Sequence, residues 1–433
     1  MPHHTCSTIG AVLIGVLACT PVATADRPAD SLVANQALEW NQIFIDTLIA
    51  TNTANAFSQR LGAIVHSAMF DAYNGIERRY TRIHEERTAP RGASRRAAVV
   101  AAAYTTLAQL FPTRQADLEL IYSASLAALS DDDGNGGRSR ELGVAWGMEV
   151  ALGILAWRST DGFGEPYPSF SGGTTVGQWR PTPPAFGPMS AQGLAFTAAF
   201  VLPSLAQFDP GPPRGLTSAT YGEDFDAVKA LGRRIGSTRT ADQTALAVFW
   251  EGNASVHWNQ AANQIARAND LSLSESVRLL AVLNVAMADT AFATWRAKRH
   301  YGADASEVTW RPVTAIPLAD SDGNPATSAD ADWLPLVNTP SHPEFPAGHP
   351  SQNGAAATVL LSYFDDAQTF TLTTSTQPSR TYTSISKARA DGNDARVWGG
   401  MHYPSTVRAS DGNGEAIARY VNEYAMQSVH GSH

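Results

Sequence analysis

An all-α bundle is what this sequence predicts, and three observations carry the prediction. Apolar residues recur at the spacing of one helix face along most of the chain. The longest such run, Leu273 to His300, keeps Val277, Leu280, Ala281, Leu283, Asn284, Met287, Ala288 and Phe292 in phase. Alternation appears in one place, Thr369 to Ser386, where Thr, Tyr and Ile flank a Gln-Pro-Ser turn and predict one hairpin or a loop.

The elements follow in order. Ala37 to Thr51 places Leu38, Trp40, Ile43, Phe44 and Leu48 at helical period, and Ala54 to Asn74 does the same with Phe57, Leu61, Ile64, Val65, Met69, Phe70 and Tyr73. His66 falls on or beside that second apolar face, where a hydrogen-bonded core residue is the commoner outcome than a ligand. Arg95 to Phe111, rich in Ala, Val and Leu, predicts a buried helix, and Asp117 to Leu129 and Arg140 to Trp157 predict two more. Between these last two, Asp131 to Gly137 has part of a calcium loop, but it lacks the terminal Glu of an EF-hand and reads as a solvated turn. Pro166 to Pro188 is too rich in Pro and Gly for regular helix. With Trp179 and Phe186 it reads equally as a lid over a cleft or as an ordered surface loop. Helices resume near Ala191, then at Tyr221 to Ile235, Ala241 to Trp250 and Val256 to Arg267. There is no internal repeat.

The composition is that of a globular protein with a large core: 44% hydrophobic and 16% charged over 433 residues. A net charge of −9 and no basic run exclude a nucleic-acid surface. The N-terminus reads as a secretory signal peptide: an apolar run from Ile9 to Ala18, then Pro21 and the small-x-small pattern Ala23-Thr24-Ala25. That predicts a periplasmic or secreted protein, with lipid anchoring through Cys19 as the lesser alternative. No later run predicts a transmembrane segment. Both cysteines, Cys6 and Cys19, lie in the leader, so the mature chain has neither a disulfide nor a thiolate metal site.

The candidate chemistry lies between Lys298 and His402, in three blocks: Trp310-Arg311-Pro312, His342 through Gly348-His349, and Ala395-Arg396 through Gly400-Met401-His402. The alanine-rich run after His349 makes Gly348 the opening of a helix, with Pro350 tolerated in its first turn. A helix N-terminus offers free amides and a positive dipole end to an anion. His349 stands beside it with a proton to give or take. Arg396 offers bidentate contact to oxygens, and His402, past the Gly399-Gly400 break, offers a ring nitrogen. Taken singly, each block reads as well as a capped helix or a solvated cation. Together, Lys298, Arg311 and Arg396 with the Gly348 amide suit a tetrahedral oxyanion. The chain thus divides into a signal peptide over 1–25, an N-terminal helical region over 26–160, a Pro/Gly-rich lid-like segment with a helix over 161–215, and a helical oxyanion-binding region over 216–433.

This ordered set resembles the vanadium-dependent haloperoxidase family, whose core is shared with the type 2 phosphatidic acid phosphatases. Arg311-Pro312, Pro346, Gly348-His349, Arg396, Gly400 and His402 match its pattern in order. The wording around Trp310 to Ile316, Gly323 to Thr327, Trp333, His257-Trp258-Asn259 and Trp179 to Pro184 is similar to bacterial members. The resemblance covers roughly residues 160–425. It implies vanadate as cofactor, with phosphate able to take the same site. His402 would bind vanadium, His349 would act as acid–base residue, and Lys298, Arg311, Gly348 and Arg396 would hold the oxygens. The implied partners are hydrogen peroxide, a halide (bromide ahead of chloride) and a small organic acceptor. The alternatives it leaves are an acid phosphatase with His402 as nucleophile, acting on a phosphate ester, or a catalytically impaired oxyanion-binding descendant. Ala347, Ala395 and Thr406 stand where the pattern has Ser, Ser and Asp, and Lys298 lies farther ahead of Arg311 than the pattern places it. Ser351 is the candidate to replace the hydroxyl lost at Ala347.

Overall fold

The computed structural model describes Met1, residues 35–129 and residues 137–429. The stretch read as a signal peptide, both cysteines and most of the Asp131–Gly137 turn lie outside these residues. From Asn35 onward the chain forms one compact unit. It is mainly helical: α1 (Gln36–Ala50), α2 (Asn55–Glu77), α3 (Arg95–Leu110), α4 (Gln115–Ala127), α5 (Arg138–Ser159), α6 (Ala219–Leu231), α7 (Ala241–Phe249), α8 (Ala254–Ala268), α9 (Leu273–Ala303), the single turn α10 (Pro312–Ala315), α11 (Gly348–Tyr363), α12 (Ile385–Trp398) and α13 (Pro404–Tyr424). The predicted hairpin is present as β1 (Phe370–Leu372) against β2 (Arg380–Tyr382), antiparallel with Phe370 opposite Tyr382.

Helix α9 is the axis. A capping box at its start, Ser272 with Glu275, satisfies orphan amides at both positions. It is apolar and long enough to cross a membrane by composition, but its most apolar stretch is 94% buried among the other helices, so it is the core helix of the bundle. α2, α11 and α13 pack against it. His66 is the hydrogen-bonded core residue expected: Nδ1 lies 2.7 Å from the Gly62 carbonyl and Nε2 3.0 Å from Asn41 Oδ1.

Two elements differ from expectation. The helix predicted to resume near Ala191 is a short 3-10 turn, Gln192–Phe196, followed by another at Leu205–Phe208. The intervening backbone is instead fixed from α9: Asp289 accepts the amides of Phe200, Val201 and Leu202 at 2.7, 2.9 and 3.1 Å. In the Pro/Gly-rich segment Trp179 is fully buried while Phe186 is exposed. The Gly177 carbonyl there accepts the amides of both Thr309 and Trp310 at 2.8 Å. That bond ties the segment to the stretch just before Arg311.

Helix α13 has no counterpart in the sequence-based expectation. Asp411-Gly412-Asn413-Gly414 has the composition of a turn, yet it lies mid-helix. The reason is packing. A Cβ on Gly414 would stand 1.9 Å from the Ser351 carbonyl of α11, so only glycine permits the close crossing of these two helices. Gly414→Ala should therefore destabilise the protein by roughly 1–3 kcal/mol, the usual cost of overpacking, although alanine is intrinsically the better helix former. Urea unfolding of the two forms measures this, and equal or greater stability of the Ala form would show that the crossing can relax.

Candidate active site

Three segments and α9 meet at one buried point. Lys298 enters from α9 with its side chain inside the protein, and Nζ donates to the carbonyls of Pro343 at 2.6 Å and Glu344 at 3.4 Å. It reaches the site despite its longer separation from Arg311. Arg311 follows Trp310, whose indole donates to the Tyr221 hydroxyl at 2.9 Å, and precedes Pro312 at the first position of α10. The fully buried Arg311 guanidinium then joins the second and third blocks. Nε donates to the His342 carbonyl at 2.9 Å and Nη2 to His342 Nδ1 at 2.8 Å, while Nη1 donates to the Met401 carbonyl at 2.8 Å and to His402 Nε2 at 3.0 Å.

The third block is bent into place by its glycines. α12 ends at Trp398, and Gly400 adopts φ +78°, with Gly232 O where a Cβ would sit. The amides of Met401 and His402 then fold back onto the Arg396 carbonyl at 3.1 and 3.3 Å. Arg396 is buried, with Nη1 donating to the Trp250 carbonyl at 3.2 Å and Nη2 to the Met401 sulfur at 3.1 Å. Its Nε is buried and has no partner. His402 turns its other nitrogen, Nδ1, to Glu344 Oε1 at 2.9 Å.

Gly348 and His349 begin α11, as predicted. A Cβ on Gly348 would meet the Trp295 ring at 3.5 Å, so the backbone lies close over that indole. His349 is partly exposed, and its Nε2 lies 3.1 Å from the Gly252 carbonyl, which accepts only; Nδ1 is therefore the unprotonated nitrogen of the neutral ring. Ser351 does not replace the missing hydroxyl, because Oγ donates to the Ala347 carbonyl at 2.9 Å within the first turn of the helix. Asp411 is engaged with Arg389 at 2.7 and 2.8 Å, away from His402.

Two side chains complete the cluster that sequence spacing did not single out. His342 and Glu344 lie inside the second block, seven and five residues ahead of His349, and both are buried. The backbone carbonyls of Trp250 and Gly252, between α7 and α8, carry no sequence signal at all.

The electrostatics are one-sided. The bonds of Lys298, Arg311 and Arg396 go to carbonyls, imidazoles and a thioether, and none of the three is ion-paired with a carboxylate among the described residues. Burial pulls Lys298 well below the usual lysine range, lowers Arg311 to about 10 and Arg396 to about 9; the Arg311 charge adds to the effect on the other two. Burial first, and the neighbouring cations next, hold His342 and His402 far below the imidazole range; burial and Arg396 do the same for His349. All three rings are neutral at pH 7. Glu344 is pushed up to about 7 by burial, opposed chiefly by Arg311. A buried cation without a counter-charge is costly. Here three share one pocket in a protein of net charge −9.

Known proteins have the same architecture. Residues 278–431 match the family described as the VCPO second helical-bundle domain. A solved bacterial vanadium-dependent iodoperoxidase superposes with a TM-score of 0.76 at 23% identity, over 91% of this chain and 98% of that one. An apo-type bacterial vanadium-dependent chloroperoxidase gives 0.68 at 19% identity, over 85% of this chain and 92% of the other. A holo-type bacterial vanadium-dependent chloroperoxidase gives 0.66 at 17% identity, over 92% and 93%. No curated protein sequence matches. The chain thus has the helical fold of the bacterial vanadium-dependent haloperoxidases. Its C-terminal third is the part that matches the VCPO second helical-bundle domain.

The uncompensated charge yields a test that needs no assay of activity. Arg396→Met removes one buried cation and its orphan donor. Its melting temperature in anion-free buffer should equal or exceed that of the parent, since replacing buried charge with apolar volume is often neutral or stabilising. Inorganic phosphate at about a hundred times its Kd should stabilise the parent by roughly 2.7 kcal/mol and the variant much less. Equal stabilisation of both would place the anion elsewhere.

Proposed function

We propose that this pocket binds vanadate and that the protein is a haloperoxidase, using hydrogen peroxide to oxidise a halide, with bromide the first to assay. The observation that carries the proposal is the set of three buried, unpaired cations around a neutral histidine, with Arg396 Nε buried and unpartnered beside them. Such a set calls for a compact, multiply charged anion with oxygens on several sides. The fold it shares with the iodo- and chloroperoxidases supports that reading.

The residues fit the group. Arg311 can only donate, so His402 Nε2, at 3.0 Å from Nη1, carries the lone pair that a vanadium ligand needs. Lys298, Arg311, Arg396 and the first-turn amide of Gly348 would neutralise the oxygens. Bound vanadate supplies the Lewis acidity that turns hydrogen peroxide into an oxygen donor. The protein's part is charge, geometry and proton movement. His349, neutral and held at Nε2 by the Gly252 carbonyl, has Nδ1 free to accept or return a proton.

The same donors suit phosphate, and the His402 lone pair suits attack on phosphorus, so the decisive experiment runs both assays on one preparation. Bromide oxidation that requires added vanadate is the expected result. Phosphomonoester hydrolysis with a trappable phosphohistidine at His402, and no peroxide chemistry, would replace this reading with a phosphatase. Neither activity would leave an oxyanion-binding descendant.

Two substitutions separate the histidines. His402→Ala should abolish stable vanadium binding. His349→Ala should keep the vanadium and slow bromide oxidation by roughly 10²- to 10⁴-fold, the usual weight of a general acid–base group. Vanadium content and turnover of each variant are the measurements; full occupancy and activity in His402→Ala would remove the central residue from the proposal. Ala347→Ser would return a hydroxyl at the N-cap of α11. It should tighten vanadate binding by roughly 1.5–3 kcal/mol, as one added hydrogen bond to a charged group does, and a titration showing no gain would place Ala347 away from the anion.

A further inference from the structure

We propose that Glu344, clamped by Thr406, is the positioning residue that fixes the ring orientation and tautomer of His402. The proposal rests on the oxyanion-site reading above and deepens it. His402 is separated from Glu344 by 58 residues, and from Thr406 by four. All three meet at one carboxylate.

The geometry runs outward from the ring. Arg311 occupies Nε2 as a donor, so the proton of the neutral imidazole sits on Nδ1. That proton points at Glu344 Oε1, 2.9 Å away. The carboxylate has no freedom to turn: Oε1 also accepts the Tyr403 amide at 3.1 Å, and Oε2 accepts the Thr406 hydroxyl at 2.9 Å. Its backbone is fixed as well, its amide donating to the Thr309 carbonyl at 2.8 Å and its carbonyl accepting from Lys298. Thr406 is buried in the first turn of α13, and Ser410, one turn on, donates to the Thr406 carbonyl and accepts the Ala347 amide, at 2.6 and 2.7 Å. The His402 support and the start of α11 are thereby tied to the same helix.

The consequence appears when an oxyanion draws the Arg311 guanidinium. The Nε2 contact is then lost as a constraint, and the bond from Nδ1 to Glu344 remains to keep the lone pair on Nε2 and aimed inward. Removing an outer partner of a metal-ligating histidine typically costs roughly 10- to 100-fold in affinity. Thr406 is the position at which the sequence departs from the expected acid. Here it bonds the carboxylate in place of supplying one.

The test uses the full protein carrying 15N-labelled histidine. In the parent, with no vanadate present, His402 should show a protonated Nδ1 with a downfield, carboxylate-bonded proton and an unprotonated Nε2. Glu344→Gln should lose that proton signature and weaken orthovanadate binding, measured by calorimetry, roughly 10- to 100-fold. Thr406→Val should weaken it by less, with the signature broadened. The double variant Glu344→Gln with Thr406→Asp should recover part of both. If Glu344→Gln keeps the downfield, carboxylate-bonded Nδ1 proton, the positioning role is overturned whatever happens to affinity; the tautomer alone does not decide it, because Arg311 still donates to Nε2 until an oxyanion draws it away. If Glu344→Gln does not fold, Thr406→Val answers by the same signature. Should the parent bind no vanadate, the haloperoxidase reading fails while the Nδ1 proton signature still decides the role of Glu344.

Discussion

Mutual repulsion among Lys298, Arg311 and Arg396 is the constraint around which this structure is built. Three cations in one dry pocket would separate, hydrate or lose their protons if the chain allowed it. The fold prevents the first two by burial from every side. α9 holds Lys298 inside the bundle, Trp310 and Pro312 bracket Arg311, and the Gly399-Gly400 turn closes over Arg396. What replaces counter-charge is a shell of carbonyl dipoles, from Trp250, His342, Pro343, Glu344 and Met401, all aimed at the cations. Carbonyls lower the energy of a cation without neutralising it. The field of the pocket therefore stays positive and preorganised for an anion, as electrostatic catalysis requires.

The one carboxylate in the cluster is spent differently. Glu344 takes its hydrogen bonds from His402, Tyr403 and Thr406, and from neither arginine. Had it paired bidentately with Arg311, it would have neutralised one of the three cations. The chain thus separates two jobs that negative charge could do, orienting a histidine and compensating the cations, and gives only the first to protein.

Much of this was legible in sequence because it is local. Arg311-Pro312, Gly348-His349-Pro350 and Arg396 to His402 each carry a turn or helix end whose chemistry lies within a few residues, and each sits where predicted. The long run of α9 announced itself by its period. What was illegible is non-local or carried by the backbone. Nothing links Glu344 to His402 in sequence, since their bond depends on how two distant segments cross. The Trp250 and Gly252 carbonyls belong to whatever residues happen to stand there. α13 was concealed by glycines that serve its close crossing with α11, and the segment near Ala191 had helical composition but forms only a 3-10 turn before Asp289 ties down the backbone at Phe200 to Leu202.

The turn between α7 and α8 has a consequence for how the molecule divides. It supplies the Trp250 carbonyl to Arg396 and the Gly252 carbonyl to His349. It is itself moored to the N-terminal helices: Asn253 donates to the Thr53 carbonyl at 3.1 Å and to Ser58 Oγ at 2.6 Å, and Asn55 Oδ1 accepts the Ala254 amide at 2.8 Å. The stretch matched as the second helical-bundle domain begins at residue 278 and contains none of this mooring. The side chains proposed to hold the anion and the turn that bonds two of them thus lie on opposite sides of the start of that matched stretch. The proposed site is therefore a composite, and the first half of the chain is its jig rather than an appendage.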